Sequence, residues 1–199
     1  KNGEILHLPT GLKVNFDQMQ NAISSSRVIY IGETHDNIEA HRAQLEIIED
    51  LAKRFPGKIS VGMEMFRRSA QQNLNQWNKG ELSSGQFKNL FRKNWGNGYA
   101  LYKSIFEFLN KNHIPLIGLK SSKKTEDTFR GNDQPGQNDL PKIDFNDRYH
   151  RPFSMSIFGG HQAMEKPYRM LLLWEETMAK TVADFLKNPS NINSKLVIL

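Results

Sequence analysis

The chain of 199 residues contains no cysteine. That absence excludes a disulfide framework, a Cys-ligated zinc site, an iron–sulfur cluster, any other thiolate-held metal centre and a cysteine nucleophile. Long apolar runs are also missing. The longest, at 170–174, has about five residues against the ~20 that a membrane-spanning helix needs. A large excess of one charge is missing too, with 27 Lys+Arg against 21 Asp+Glu for a net +6. The basic residues alternate with Asp and Glu and form no stripe with interleaved aromatics, so no nucleic-acid partner is expected. Attraction for a small acidic ligand, or plain solubility, accounts better for the balance. The sequence opens on Lys1 with no charged-then-apolar leader, and the expectation is a signal peptide removed or never present. It stops at Leu199 inside a predicted strand, as a C-terminally shortened chain would.

What is present reads as strands alternating with helices. The β-branched run at 28–31 predicts a buried strand. Residues 38–55 place Leu45, Ile48, Leu51, Ala52 and Phe55 at helical spacing, and Pro56-Gly57 stops the helix. A strand at 59–65, a helix at 100–112, a strand at 114–119, a long helix at 164–186 and a strand at 196–199 follow. This order predicts an α/β fold, a mainly parallel sheet flanked by helices in three layers. Two stretches break the alternation. Residues 68–95 predict two short helices, the second announced by Ser83 with Gln86 three residues on. Residues 121–146 are polar and read as a structureless arm. The expected organisation is a sheet domain of 1–66, 99–120 and 161–199, carrying a helical insertion of 67–98 and 121–160. A short hairpin at 5–14 around Pro9-Thr10-Gly11 is expected to precede them.

The first strand runs into Gly32-Glu33-Thr34-His35-Asp36-Asn37. Ligands of parallel sheets bind at the carboxyl ends of strands, which makes these side chains site candidates. Asp36 or Asn37 can cap the following helix, but a cap requires neither Glu33 nor His35. Glu64 ends the second strand, and because consecutive strands are usually neighbours it is expected beside Glu33. Glu33, His35 and Glu64 could bind a divalent metal, run acid–base chemistry, or form a structural network. His41 need not point the same way. A third region, with Tyr149-His150-Arg151, Phe153, Phe158-Gly159-Gly160-His161 and Glu165-Lys166-Pro167-Tyr168, suits a flat apolar ligand with anionic edges. An aromatic helix packed on the core is the plainer reading of the same residues. His7 and His113 are expected to be structural or solvent-facing.

Three segments together carry a resemblance: Gly32-Glu33-Thr34-His35-Asp36-Asn37, Glu64-Met65-Phe66, and Leu173-Trp174-Glu175-Glu176-Thr177-Met178-Ala179. With Trp95, Tyr102 and Ile114-Pro115-Leu116-Ile117, they resemble the ChaN family of bacterial haem-binding lipoproteins. That family lies within a wider group of TraB/Tiki proteins and erythromycin esterases. The resemblance implies a haem-uptake protein of the bacterial cell envelope, lipid-anchored to the outer membrane or periplasmic, with no other membrane attachment. It implies a homodimer with two haems stacked face to face, a tyrosine of one subunit ligating each iron and a His and a Lys of the other contacting the propionates. Carried over, the iron ligand is Tyr149, with Tyr102 and Tyr168 as the other candidates, and the propionate contacts are His161 and Lys166. The resemblance implies no catalytic residue. The alternative is a hydrolase, esterase or metalloprotease-like, using Glu33, His35 and Glu64. The chain departs from the family at Leu119-Lys120-Ser121, where an Asn is usual, and at Met170-Leu171, where Ala-Gln is expected. The family's last strand also leads into a Gly-x-Gly-His turn, beyond Leu199.

Overall fold

The computed structural model describes residues 4–132, 143–157 and 164–199 of the chain. A short antiparallel hairpin, β1 (Ile5–His7) and β2 (Leu12–Val14), opens it. Helix α1 (Phe16–Ile23) follows, capped by Asn15 and Gln18 in a reciprocal box. Then come β3 (Val28–Tyr30), α2 (Ile38–Arg54), β4 (Ile59–Arg67), α3 (Gln71–Asn78), α4 (Ser84–Asn94), α5 (Tyr99–Lys111) and β5 (Leu116–Lys120). Helices α6 (Lys123–Asn132), α7 (His150–Ile157) and α8 (Glu165–Lys187) lead to the last strand, β6 (Lys195–Ile198). The Ser83–Gln86 box caps α4 as expected, each partner bonding the other's backbone N–H.

The four strands β3–β6 form one parallel sheet in the order β3-β6-β4-β5. Sequential order therefore misleads at one place: β6 lies between β3 and β4, so Glu33, just past β3, and Glu64, within β4, belong to strands that are not neighbours. The last strand slips into the centre because Leu196 and Val197 are apolar on both faces and bury completely.

Two apolar layers cover the sheet. On one face Ile48 and Leu51 of α2, Leu74 and Trp77 of α3, Phe87 and Phe91 of α4, and Ile105, Phe106 and Leu109 of α5 enclose Val61, Met63 and Met65. On the other face Val182, Met178 and Phe185 of α8 meet Leu119 and Leu196. This is the expected α/β arrangement of helix, sheet and helix. A third, smaller cluster joins Phe129 of α6, Ile143, and Tyr168, Leu172 and Leu173 of α8. The region read as a structureless arm thus holds α6, whose Phe129 gains a buried seat that local polarity in the sequence conceals.

The long strand β4 bends where its pairing with β5 shifts between Met63 and Arg67. Gly118 of β5 lies opposite Met63, and a Cβ there would come within 2.6 Å of the Arg67 carbonyl oxygen. Only glycine fits at that crossing.

Candidate functional site

Glu33 follows the carboxyl end of β3, and four side chains converge on it. Tyr102 of α5 donates its hydroxyl to Oε1, on which His35 Nδ1 also sits at 2.7 Å. Gln44 of α2 donates to Oε2 at 2.7 Å, and His41 Nδ1 stands 3.1 Å from the same oxygen. The Glu33 side chain is only 5% exposed. Burial pushes its carboxyl up, but the bonds from Tyr102, His35 and Gln44 and the nearby charge of His41 outweigh that cost, holding it below the ordinary carboxylate value. Tyr102 answers in the opposite direction. Burial, the bond to Glu33 and the charges of Glu33 and Glu64 drive its phenol far above the ordinary range. His41, which the sequence does not tie to His35, belongs to the cluster because the first turn of α2 brings its Nε2 to the His35 carbonyl, at 3.1 Å.

Glu64 lies on the other side of β6 and takes a different partner. Lys120, at the end of β5 and 9% exposed, places Nζ 3.5 Å from Glu64 Oε1. The same ammonium lies 4.0 Å from the ring centre of Trp174 on α8 and 5.1 Å from that of Trp95. The Trp174 indole N–H donates to Glu126 of α6 at 2.9 Å, and Arg67 donates to the same carboxylate oxygen at 2.6 Å. The departure at Leu119-Lys120-Ser121 therefore has a structural meaning. The lysine fills the gap between two indoles and supplies Glu64 with a cation. Among the described residues no group of three or more His, Asp and Glu side chains is arranged to hold a metal ion.

The aromatic region shows a second, separate face. Helix α7 turns Phe153 and Ile157 to solvent, each 68% exposed, with Tyr149 just before it at 70%. The spacing of four residues puts all three on one side. The Arg148 guanidinium lies 4.6 Å from the Tyr149 ring centre. The inner side of α7 is polar: His150 Nε2 stands 2.9 Å from Glu175 Oε2, and Arg151 grips Glu165. Burial raises the Glu175 carboxyl above the ordinary value, and His150 pulls against that rise. Tyr168 is fully buried behind α7, its phenol raised by burial. Lys166 is exposed on the first turn of α8. His161, with Phe158, Gly159 and Gly160, lies outside the described residues. His7 and His113 are exposed, as anticipated, and His113 has a left-handed backbone at φ 53°.

The parallel sheet covered by helices on both faces makes this an α/β protein, with a polar cluster just past its first sheet strand. Residues 19–199 match the family described as haem-binding uptake, Tiki superfamily, ChaN, and the chain belongs to that family. The solved structure of cofacial haem binding to ChaN of Campylobacter jejuni shares the fold with a TM-score of 0.75 at 19% identity, over 98% of this chain and 78% of that one. The type III effector HopBA1 aligns with a TM-score of 0.47 at 14% identity, over 92% of this chain and 70% of that one. No curated protein sequence matches the chain.

Proposed function

We propose that the chain binds haem for uptake in the bacterial cell envelope, with Tyr149 as the iron ligand and His161 and Lys166 as propionate contacts. The observation that carries this reading is the exposed row of Tyr149, Phe153 and Ile157. A phenol beside two apolar side chains matches a flat macrocycle with an oxophilic ferric centre. The other tyrosines fit less well. Tyr102 is buried and donates its hydroxyl hydrogen bond to Glu33, Tyr168 is buried, and burial raises the Tyr99 phenol. Tyr30 is exposed, but it sits on the edge strand β3, away from α7 in the chain. Bound haem supplies a ferric ion whose charge favours the phenolate form of its ligand.

The family membership and the structure of the Campylobacter jejuni protein support a haem ligand. A homodimer with two stacked haems belongs to the same reading, because an apolar row of this kind needs a cover. The test is a hemin titration followed by absorbance. A high-spin spectrum with a phenolate-to-iron charge-transfer band is expected, and Tyr149→Phe abolishes the band. Survival of the band in that variant removes Tyr149 as the ligand.

A second reading, a hydrolase, draws on the Glu33–His35 pair. His35 Nδ1 is held by the carboxylate while its side chain is 54% exposed, the orientation of a general base. An esterase and peptidase screen with His35→Ala as control separates the two. Turnover that the variant loses favours the hydrolase.

A further inference from the structure

Helix α7 is amphipathic in the reverse sense. Its apolar row faces solvent, and its charged residues face α8. With 8 residues it is too short to stand alone. Little apolar burial fixes its place, with Ser154 buried and Met155 only partly so. Two polar contacts hold it, His150 on Glu175 at 2.9 Å and the Arg151 guanidinium on Glu165. That guanidinium donates from Nη1 and Nη2 to the two oxygens of Glu165, at 3.1 and 2.5 Å. It also donates to the Phe145 carbonyl at 3.3 Å and lies 5.1 Å from the centre of the buried Tyr168 ring. Arg151 holds the Glu165 carboxyl below its ordinary value, the direction a close pair produces.

The position of this fork in the chain gives it a further consequence. Arg151 is two residues after Tyr149, and Glu165 is the residue before Lys166. We propose that Arg151 and Glu165 are positioning residues for haem: the planar fork between them sets Tyr149 relative to Lys166, and so sets the iron ligand relative to the propionate contact. The inference rests on the reading of Tyr149 as ligand. In a two-fold dimer whose haems each take a tyrosine from one subunit and a lysine from the other, one fork aligns a contact to each haem. A lysine at 151 keeps the charge but loses the two parallel bonds, so charge alone does not satisfy the role.

The experiment is a hemin titration of the full chain followed by absorbance, for Arg151→Lys, Glu165→Gln, the exchanged pair Arg151→Glu with Glu165→Arg, and Tyr149→Phe. Thermal unfolding of each apoprotein runs alongside. Arg151→Lys and Glu165→Gln are expected to melt close to the unaltered protein, yet to bind hemin about tenfold more weakly, with a diminished charge-transfer band. The exchanged pair is expected to recover most of both. Unchanged midpoints and bands in the two single variants overturn the proposal while leaving Tyr149 in place. So does a loss of band that merely tracks loss of folded protein and that the exchange does not restore. Persistence of the band in Tyr149→Phe instead overturns the ligand assignment, and the positioning role with it.

Discussion

The phenol of Tyr102 donates a hydrogen bond to the carboxylate of Glu33 across the gap between α5 and the end of β3. Both side chains are almost wholly buried, so this bond replaces solvation that neither group retains. Tyr102→Phe removes the donor and leaves the ring. The expected cost is about 1–3 kcal/mol, measured as a shift of the urea midpoint. Hemin binding by the variant is expected to be unchanged, because the phenol is committed to the core.

The same carboxylate makes folding sensitive to acid. The Glu33 carboxyl is held below its ordinary value of 4.5 in the folded chain, so the folded state favours the ionised form more than the unfolded chain does. Its contribution is complete above about pH 4.5 and is lost as the pH falls through the lowered folded value. Glu33→Gln is therefore expected to flatten the acid limb of stability against pH while lowering stability at neutral pH. Urea midpoints recorded from pH 7 down to the acid transition check this. An unaltered acid limb in the variant contradicts it.

How much of this site was legible in the sequence depends on which residue is asked about. Glu33, His35 and Glu64 follow from the rule that ligand chemistry gathers at strand carboxyl ends. Tyr102, Gln44 and Lys120 do not, because each reaches the site through tertiary packing. Tyr102 sits on a helix whose apolar spacing absorbs it into the core, and only the bond to Glu33 marks it out. The strand order was hidden for a related reason. Residues Lys195–Ile198, reading Lys-Leu-Val-Ile, say that a strand forms but not which gap it enters. Helix α6 is hidden in the sequence because it is polar apart from Phe129. The apolar row on α7 was legible as aromatic content, but its outward direction was not, since a core-packed helix has the same periodicity.

Lys120 joins β5, α8 and the segment holding Trp95 through one ammonium. Lys120→Met keeps the packing of the stem but leaves Glu64 without its cation and the two indole faces without theirs. A loss of about 1–2 kcal/mol is expected, with a shift in tryptophan fluorescence. Lys120→Arg is expected to recover part of the loss, because it restores the charge in a bulkier form. Equal stability of the methionine variant and the unaltered protein rules out the role.

Gly118 tests the crossing of β4 and β5 directly. A methyl group there meets the Arg67 carbonyl oxygen at 2.6 Å, a backbone atom that cannot swing aside. Gly118→Ala is expected to cost about 3 kcal/mol or more. Gly85, with nothing within 4 Å of an added Cβ, serves as the control, and its alanine variant is expected to stay near the unaltered protein. Thermal or chemical melts of the two variants decide the matter.

The exposed row on α7 separates a folding role from a binding role. Phe153 and Ile157 are largely in solvent in the single chain, so replacing them removes little buried area. Ile157→Asp is therefore expected to change apoprotein stability by no more than about 0.5 kcal/mol. If two haems stack between two copies, the same row is covered in the loaded dimer, where a carboxylate in place of isoleucine is costly to desolvate. Sedimentation velocity with and without hemin reads both halves. The unaltered chain is expected to sediment as a dimer with hemin, and Ile157→Asp as a monomer that melts normally without it. A hemin-loaded Ile157→Asp dimer places the contact between subunits elsewhere, and a hemin-loaded monomer of the unaltered chain removes the stacked pair altogether.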